Sequence, residues 1–174
     1  TVEISKDHAT ALDADGLVVP GVGAFGACMD ALRAVHGPTI IARRLAGGRP
    51  VLGICVGMQV LFEASTEHGH HEGIGEWPGT IERLDAPVLP HMGWNTVRFT
   101  QPGSPLCHGL QPNGESFYFV HSFHCVPRNP ALVLAECDYE GVFCAAIGRG
   151  RVFATQFHPE KSQATGLRLY GNFA

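Results

Sequence analysis

The sequence lacks several features that would assign it to a broad class at once. No apolar stretch approaches the roughly 20 residues that a membrane-spanning helix needs, because proline or glycine interrupts each one. Basic residues are not in excess, and the formal net charge of −4 disfavours nucleic acid as a main partner. The six cysteines form no C-x-x-C pair and no secretory signal is visible, so we expect reduced thiols and a cytoplasmic location.

What remains is typical of one globular domain. The chain has 174 residues, of which 45% are hydrophobic, enough to bury about 70% of the unfolded surface in a single core. Strand-like apolar runs alternate with helix-like segments, which indicates an α/β fold. We expect a mostly parallel central sheet flanked by helices, with a smaller antiparallel portion from the second half. Residues 1–4 and 17–19 are predicted strands, and the second reads as buried on both faces.

The remaining elements follow from hydrophobic spacing and from glycine and proline boundaries. Helices are predicted at residues 24–35, 39–46, 56–63 and 162–173, and strands at residues 79–84, 95–99, 116–120, 132–137, 142–147 and 152–156. The last two strands read as a hairpin. Arg43, Arg44 and Arg49 are expected on the solvent-exposed side of the second helix, and Ser162 is the expected N-cap of the last helix.

The clearest chemistry lies in residues 51–59. An apolar strand runs directly into a helix-like segment, and Cys55 stands at the corner with Gly53 and Gly57 two residues to either side. This is the nucleophile-elbow pattern, with cysteine in place of serine. The glycines allow close passage while the central residue adopts a strained backbone conformation. We expect the helix N-terminus to favour the thiolate and the Val56 N–H to bind an oxyanion.

The elbow alone fits a buried structural cysteine equally well. Residues 156–160 favour a catalytic over a structural role for Cys55, because they follow another predicted strand and contain His158, Pro159 and Glu160. The proline biases His158 away from helix, so His158 and Glu160 can project to the same side of an extended segment. A base held by a carboxylate is what a cysteine nucleophile needs. We therefore predict Cys55, His158 and Glu160 as a catalytic constellation.

Three other segments have two interpretations each. Gly21 and Gly23 follow a strand end, where α/β folds bind ligands, although an ordinary glycine-rich loop fits as well. Residues 90–95 place Met92 and Trp94 in a turn-rich segment, where they either cover the core edge or anchor an interface. Residues 65–78 contain a histidine cluster without recognisable metal-ligand spacing, so a surface loop is favoured and no metal site is predicted.

The residues 53–59, with the sequence GICVGMQ, and 157–160, with the sequence FHPE, resemble class I (triad) glutamine amidotransferases. The segments 20–25 (PGVGAF) and 90–95 (PHMGWN) are similar to those of the glutaminase subunits of imidazole glycerol phosphate synthases. The resemblance covers nearly the whole chain, as a single domain over residues 1–174. Members of the family usually carry one more strand–helix unit ahead of the position of Thr1, so we expect that unit to be missing here.

The resemblance implies hydrolysis of L-glutamine to glutamate and ammonia without a cofactor. Cys55 would be the nucleophile, His158 the base and Glu160 its orienting carboxylate. The resemblance assigns the other site residues as oxyanion donors (Val22, Val56), substrate-binding residues (Gly21, Gly23, Gln59, Ser122, Phe123) and interface residues (Met92, Trp94, Asn95). It also implies a heterodimer in which ammonia passes to a (β/α)8-barrel cyclase subunit for histidine biosynthesis.

Other functions remain open at this stage. A glutaminase serving another synthase, such as one for vitamin B6 or a nucleotide, would share the triad. Only the segments 20–25 and 90–95 can therefore distinguish such a glutaminase from one that serves imidazole glycerol phosphate synthase. A catalytically inactive regulatory homologue is disfavoured because all three triad residue types are present. A cysteine peptidase or hydrolase of similar fold is disfavoured by Gln59 and by the spacing of His158 and Glu160.

Overall fold

A computed structural model describes residues 1–174 as a mixed α/β domain. Five helices and eleven strands follow one another along the chain, with three short 3₁₀ turns at Pro105–Cys107, Pro130–Leu132 and Pro159–Lys161. The helices are α1 (His8–Asp13), α2 (Phe25–Ala34), α3 (Gly37–Ala46), α4 (Val56–Gln59) and α5 (Gln163–Phe173). The strands are β1 (Leu17–Gly21), β2 (Val51–Cys55), β3 (Phe62–Ser65), β4 (His71–Glu72), β5 (Trp77–Arg83), β6 (His91–Phe99), β7 (Asn113–His121), β8 (Phe123–Pro127), β9 (Val133–Asp138), β10 (Val142–Arg149) and β11 (Val152–Thr155).

All eleven strands belong to one curled sheet. Its main path runs β1-β2-β11-β10-β8-β5-β3-β4, while β6 and β7 join through β9, which pairs with β10. The pairs β1–β2 and β2–β11 are parallel, so the carboxyl ends of these three strands meet at one edge of the sheet. Ligands bind at such edges in open α/β sheets. The chain segments that follow β1, β2 and β11 therefore determine the site.

The α/β architecture expected from the sequence is confirmed, and its antiparallel share is larger than expected. Only β1–β2, β2–β11 and β3–β5 pair in parallel. Strands β10 and β11 form the predicted hairpin, with Arg149 opposite Val152. The second half of the chain adds further antiparallel pairs, which are β8–β10, β9–β10, β5–β8, β6–β7 and β6–β9.

Two predictions near the N-terminus are wrong. Residues 1–4 form no strand, and the side chains of Val2 and Ile4 are fully exposed, because this segment pairs with no other strand. Strand β1 is not buried on both faces either. It lies at the edge of the sheet with β2 as its only partner, and only Val19 of its side chains is buried.

Further along the chain, two boundaries differ from prediction. The elbow helix α4 ends at Gln59 rather than at residue 63, because Phe62 begins β3 and pairs with Trp77 of β5. Residues 90–95 are not a turn. Most of them belong to β6, which pairs with β7 from His91 opposite His121 onward. Long-range pairing therefore overrides the local helical and turn signals of both segments.

The helices α2 and α3 cover the sheet near β1 and β2. Helix α2 buries Phe25 and Met29, as its spacing predicts, and α3 begins with a proline in its first turn. None of the helices is both long and apolar enough to span a membrane.

Arg44 on α3 was expected at the surface and is completely buried. Its guanidinium Nη atoms donate hydrogen bonds to five backbone carbonyls, those of Ala11, Leu12, Ala14, Asp15 and Pro50. Four of these carbonyls belong to the end of α1 and the turn after it, where helix carbonyls lack partners within the helix. Arg49 is likewise drawn inward and donates to the Leu12 and Asp13 carbonyls. The two arginines thus attach α1 to α3 instead of lying in solvent.

We predict that Arg44→Met lowers the free energy of unfolding by about 3 kcal/mol, because it leaves several buried carbonyls without donors. Arg43→Met is the matched control, since Arg43 is exposed on the same helix, and it should change stability by less than about 0.5 kcal/mol. Urea titrations of both variants measure the difference. Equal midpoints for the two variants would contradict this role of Arg44.

Candidate active site

The elbow depends on direct contact between backbones. A Cβ atom placed on Gly57 would lie 1.8 Å from the Val19 carbonyl oxygen of β1, and one on Gly53 would lie 2.6 Å from the Gly57 oxygen. Helix α4 therefore packs against β1 and β2 at a distance that only glycine permits. The corner residue between β2 and α4, Cys55, is held at φ 55° and ψ −115°. A non-glycine residue in this region is strained, as the elbow pattern predicts.

Cys55 and His158 line the same pocket although they are a hundred residues apart. The His158 Nδ1 lies 2.5 Å from Glu160 Oε1, which fixes the proton on Nδ1. The other ring nitrogen, Nε2, is buried and has no hydrogen-bond partner. An imidazole whose Nε2 has no partner, in a pocket that a thiol also lines, is arranged to accept the proton of that thiol.

The backbone around His158 is clamped from two sides. Its N–H donates to the Tyr118 carbonyl at 2.9 Å, and its carbonyl accepts from the Ser162 hydroxyl at 2.6 Å. Ser162 is the N-cap residue of α5, as predicted, but its side chain makes no capping hydrogen bond, because the same oxygen accepts from the Tyr118 N–H. The residues after His158 form a 3₁₀ turn rather than an extended segment, and this turn still brings Glu160 to the imidazole.

Burial raises the pKa of the Cys55 thiol to about 11, and the hydrogen bond from the Val56 N–H only partly opposes this effect. The start of the helix does favour the thiolate, as expected, through the Val56 N–H, but burial outweighs this contribution. Desolvation of a thiolate in a buried position exceeds what one turn of helix contributes. At neutral pH the sulfur keeps its proton, and a base has to remove it.

A pocket of about 340 Å³ opens above the sulfur. It is large enough for a small-molecule ligand. Eight of the residues predicted for the site line it: Val22, Gly23, Cys55, Val56, Gln59, Ser122, Phe123 and His158. Gly21 does not. A Cβ there would lie 2.5 Å from the Gly57 nitrogen, so packing alone requires glycine at that position.

Three of the predicted substrate-binding residues are partly engaged within the chain. The Gln59 Nε2 donates to the Phe123 carbonyl and to Gln156 Oε1, both at 3.0 Å. The Ser122 carbonyl accepts from the Leu84 N–H at 2.9 Å. These contacts hold the wall of the pocket in place, and the Gln59 amide oxygen accepts no hydrogen bond within the chain.

The predicted interface residues lie outside the pocket on β6. Met92 and Trp94 are exposed on one face of the strand, and the Trp94 ring meets the Tyr118 ring edge-on at 6.2 Å. Asn95 differs, because its amide is used within the chain. It donates to the Asp138 carbonyl at 2.9 Å and lies 3.2 Å from His91 Nε2.

Sequence reasoning missed five residues that line the pocket: Glu67, Pro90, Val120, His121 and Lys161. Glu67 sits in the histidine-rich loop, and its carboxylate accepts from the Phe25 N–H at the start of α2 at 2.6 Å. Burial lowers the pKa of His121 to about 3, so its ring is neutral. No local pattern marks Glu67, whereas the position of His121 at a strand end was a usable signal.

Comparisons with known proteins agree with this geometry. The family described as "Glutamine amidotransferase class-I" matches residues 1–173. Two curated relatives are each named "Imidazole glycerol phosphate synthase subunit HisH". The one from Streptomyces avermitilis is 51% identical over 99% of this chain and 83% of its own, and the one from Nocardia farcinica is 54% identical over 99% and 84%. The chain belongs to the class I glutamine amidotransferase family.

Solved structures support the fold. One, described as a glutamine amidotransferase, superposes with a TM-score of 0.72 at 18% identity, covering 95% of this chain and 82% of its own. The glutaminase domain of Trypanosoma brucei CTPS superposes with a TM-score of 0.61 at 18% identity, covering 95% and 73%. At this identity the likeness concerns the arrangement of strands and helices only.

We predict that Gly57→Ala lowers the free energy of unfolding by at least about 3 kcal/mol, because the added Cβ overlaps backbone atoms that cannot yield. Gly171→Ala on α5 is the control, since a Cβ there meets open space, and it should be neutral or stabilising by up to about 1 kcal/mol. Chemical denaturation of both variants checks the difference. Wild-type stability in Gly57→Ala would show that the elbow does not require this contact.

Proposed function

We propose that Cys55, His158 and Glu160 hydrolyse L-glutamine in this chain, which is a glutaminase subunit of the imidazole glycerol phosphate synthase type and serves histidine biosynthesis. One observation carries the proposal. The buried Nε2 of His158 has no partner and borders the Cys55 pocket, while Nδ1 is held by Glu160. A structural histidine in a core normally satisfies both nitrogens.

The first half-reaction follows from this arrangement. His158 Nε2 takes the thiol proton as the sulfur attacks the side-chain amide carbon of glutamine, and Glu160 stabilises the imidazolium. The negative charge moves to the amide oxygen, where the N–H groups of Val22 and Val56 would receive it. The carbon–nitrogen bond then breaks as the His158 proton passes to the leaving nitrogen. Ammonia departs, and the acyl group remains on Cys55 as a thioester.

Water completes the reaction. His158, neutral again, accepts a proton from the water as its oxygen attacks the thioester carbon. The carbon–sulfur bond breaks, glutamate is released and the proton returns to the sulfur. Glu67 is the only acidic side chain that lines the pocket, and it suits the α-ammonium group of the substrate.

The chain acts as one subunit of a multi-component synthase, and we propose that its partner is the (β/α)8-barrel cyclase that consumes the ammonia. The exposed Met92 and Trp94 on β6 support this assignment. Trp94 contacts Tyr118, and Lys161 at the pocket rim lies over the same tyrosine ring at 5.6 Å. A partner bound to this face would sit next to the pocket mouth, where ammonia could pass across without entering bulk water.

The alternative functions, a glutaminase for another synthase and an inactive homologue, have less support. Relatives at about half identity carry the name of the histidine-pathway synthase, which favours it over a synthase for vitamin B6 or a nucleotide. An inactive regulatory homologue would have no need to retain a strained Cys55 and a base with a free nitrogen, since both cost stability.

We predict that Cys55→Ala abolishes glutamate release, measured with the cyclase subunit and its nucleotide substrate present. His158→Ala should cost about as much, at least roughly 10⁴-fold, and the double variant little more, because the residues act as a unit. Cys107→Ala is the control, since Cys107 is a free thiol that neither lines the pocket nor acts on the Cys55 sulfur, and it should keep wild-type turnover. Appreciable glutaminase activity in Cys55→Ala would remove the mechanism.

We predict that Trp94→Ala weakens binding of the cyclase subunit by about thirtyfold, because truncating an interface tryptophan can cost about 2 kcal/mol. Leu167→Ala, which removes another exposed apolar side chain from α5, should leave the affinity unchanged. Calorimetric titration gives both dissociation constants, and thermal melts of the free chains report stability. A lower melting temperature with wild-type affinity would assign Trp94 to the core edge instead.

A further inference from the structure

The Cys55 sulfur has a neighbour that the mechanism above does not use. Gln156, the residue between β11 and Phe157, is completely buried, and its Nε2 lies 3.7 Å from Cys55 Sγ. Its Oε1 lies 3.0 Å from the Nε2 of Gln59, which is also buried. Gln59 in turn donates to the Phe123 carbonyl. Two side-chain amides and one backbone carbonyl therefore form a hydrogen-bonded series that ends at the Cys55 sulfur.

The orientation of the amides in this hydrogen-bonded series is fixed by the Phe123 carbonyl at its far end. The Phe123 carbonyl can only accept, so the NH₂ group of Gln59 has to face it. The second proton of the same NH₂ group is directed at Gln156, which must present its oxygen there. The NH₂ group of Gln156 is left to face the sulfur. If the Gln156 amide were reversed, its NH₂ group would face the NH₂ group of Gln59, and its oxygen would face the Cys55 sulfur. Neither contact is a good hydrogen bond, and unpaired polar groups are costly in a buried site.

The Phe123 carbonyl is itself held in place. It accepts a second hydrogen bond from His121 Nδ1 at 2.9 Å, so both of its lone pairs are engaged. The neutral His121 ring continues the hydrogen-bonded series, since its Nε2 lies 3.0 Å from the Nδ1 of His91. The orientation of Gln156 is thus determined by groups on β7, β8 and α4 rather than by its own rotamer preference.

We propose that Gln156 is a catalytic residue that donates a hydrogen bond to the Cys55 sulfur as negative charge forms on it, and that Gln59 and the Phe123 carbonyl position its amide for this task. The proposal deepens the proposed function and rests on it. An amide N–H stabilises a thiolate more than a thiol, because hydrogen bonds to charged acceptors are the stronger ones. Gln156 cannot take up the proton, so His158 remains the base.

Other groups also act on this sulfur. Glu160 and Cys28 disfavour the thiolate, whereas Lys161 and the Val56 N–H favour it, and His158 lines the same pocket. A test of Gln156 must leave all of them in place. Gln156→Met does so, because methionine is unbranched, similar in length and unable to donate.

The experiment measures alkylation of Cys55 by iodoacetamide as a function of pH in the full chain, with the modified peptide quantified by mass spectrometry. In Gln156→Met we expect the midpoint to rise by about one pKa unit, so that alkylation below the midpoint is about tenfold slower. The matched control is Gln101→Met. Gln101 also donates to two backbone carbonyls, those of Ala131 and Val133, but lies outside the pocket, and its profile should equal that of the wild type.

A second variant keeps the test decisive if Gln156→Met does not fold. Gln59→Met leaves Gln156 in place but removes the group that orients it, so the Cys55 midpoint should rise in the same direction by a smaller amount. In the complex with the cyclase subunit, Gln156→Met should lower kcat for glutamate release while KM stays near the wild-type value.

A wild-type alkylation profile in a folded Gln156→Met chain would overturn the proposal, as would one in Gln59→Met if the first variant is unfolded. The alkylation assay needs no glutamine. Its outcome is therefore separate from the proposed function, which fails if the wild-type complex releases no glutamate.

Discussion

The whole site depends on one contact, the close approach of the α4 backbone to β1 and β2. At positions 21, 53 and 57 only glycine fits, because an added Cβ atom would overlap backbone atoms of the neighbouring element. Because α4 starts so close to the sheet, the chain must turn sharply at Cys55, which takes a positive φ. That turn places Cys55 and Val56 in the lining of the same pocket. The proposed nucleophile and the proposed oxyanion donor are thus consequences of one packing constraint.

His158, the proposed base, reaches Cys55, the proposed nucleophile, through sheet pairing rather than through sequence proximity. Strand β11 pairs in parallel with β2, Thr155 opposite Ile54, so the residues after β11 emerge beside the elbow. Phe157 fixes the exit by stacking on Phe117 with ring centroids 4.0 Å apart. The alternation along this extended exit then turns Gln156 toward the sulfur and Phe157 toward the core. His158 follows, and Ser162 and Tyr118 hold its backbone.

Local motifs predicted the chemistry, and long-range contacts decided the rest. The elbow glycines and the His158–Glu160 spacing are readable because their geometry is set within a few residues. Arg44 was misplaced at the surface because its partners are backbone carbonyls, which carry no residue-specific signal and lie about thirty residues earlier. The extent of α4 was misjudged because Phe62 is drawn into the sheet by β5. Glu67 was missed because only the folded loop brings its carboxylate to the start of α2.

Burial disfavours the Cys55 thiolate, so the resting thiol is a weak nucleophile until a base takes its proton. A thiol whose pKa is raised to about 11 keeps its proton at neutral pH, so Cys55 alone attacks little. In the proposed mechanism, the Val56 N–H and the Gln156 amide stabilise the sulfur more strongly as charge forms on it. Proton transfer to His158 then has to coincide with attack on a bound substrate. A preformed thiolate–imidazolium pair would instead be reactive toward any electrophile that entered the pocket.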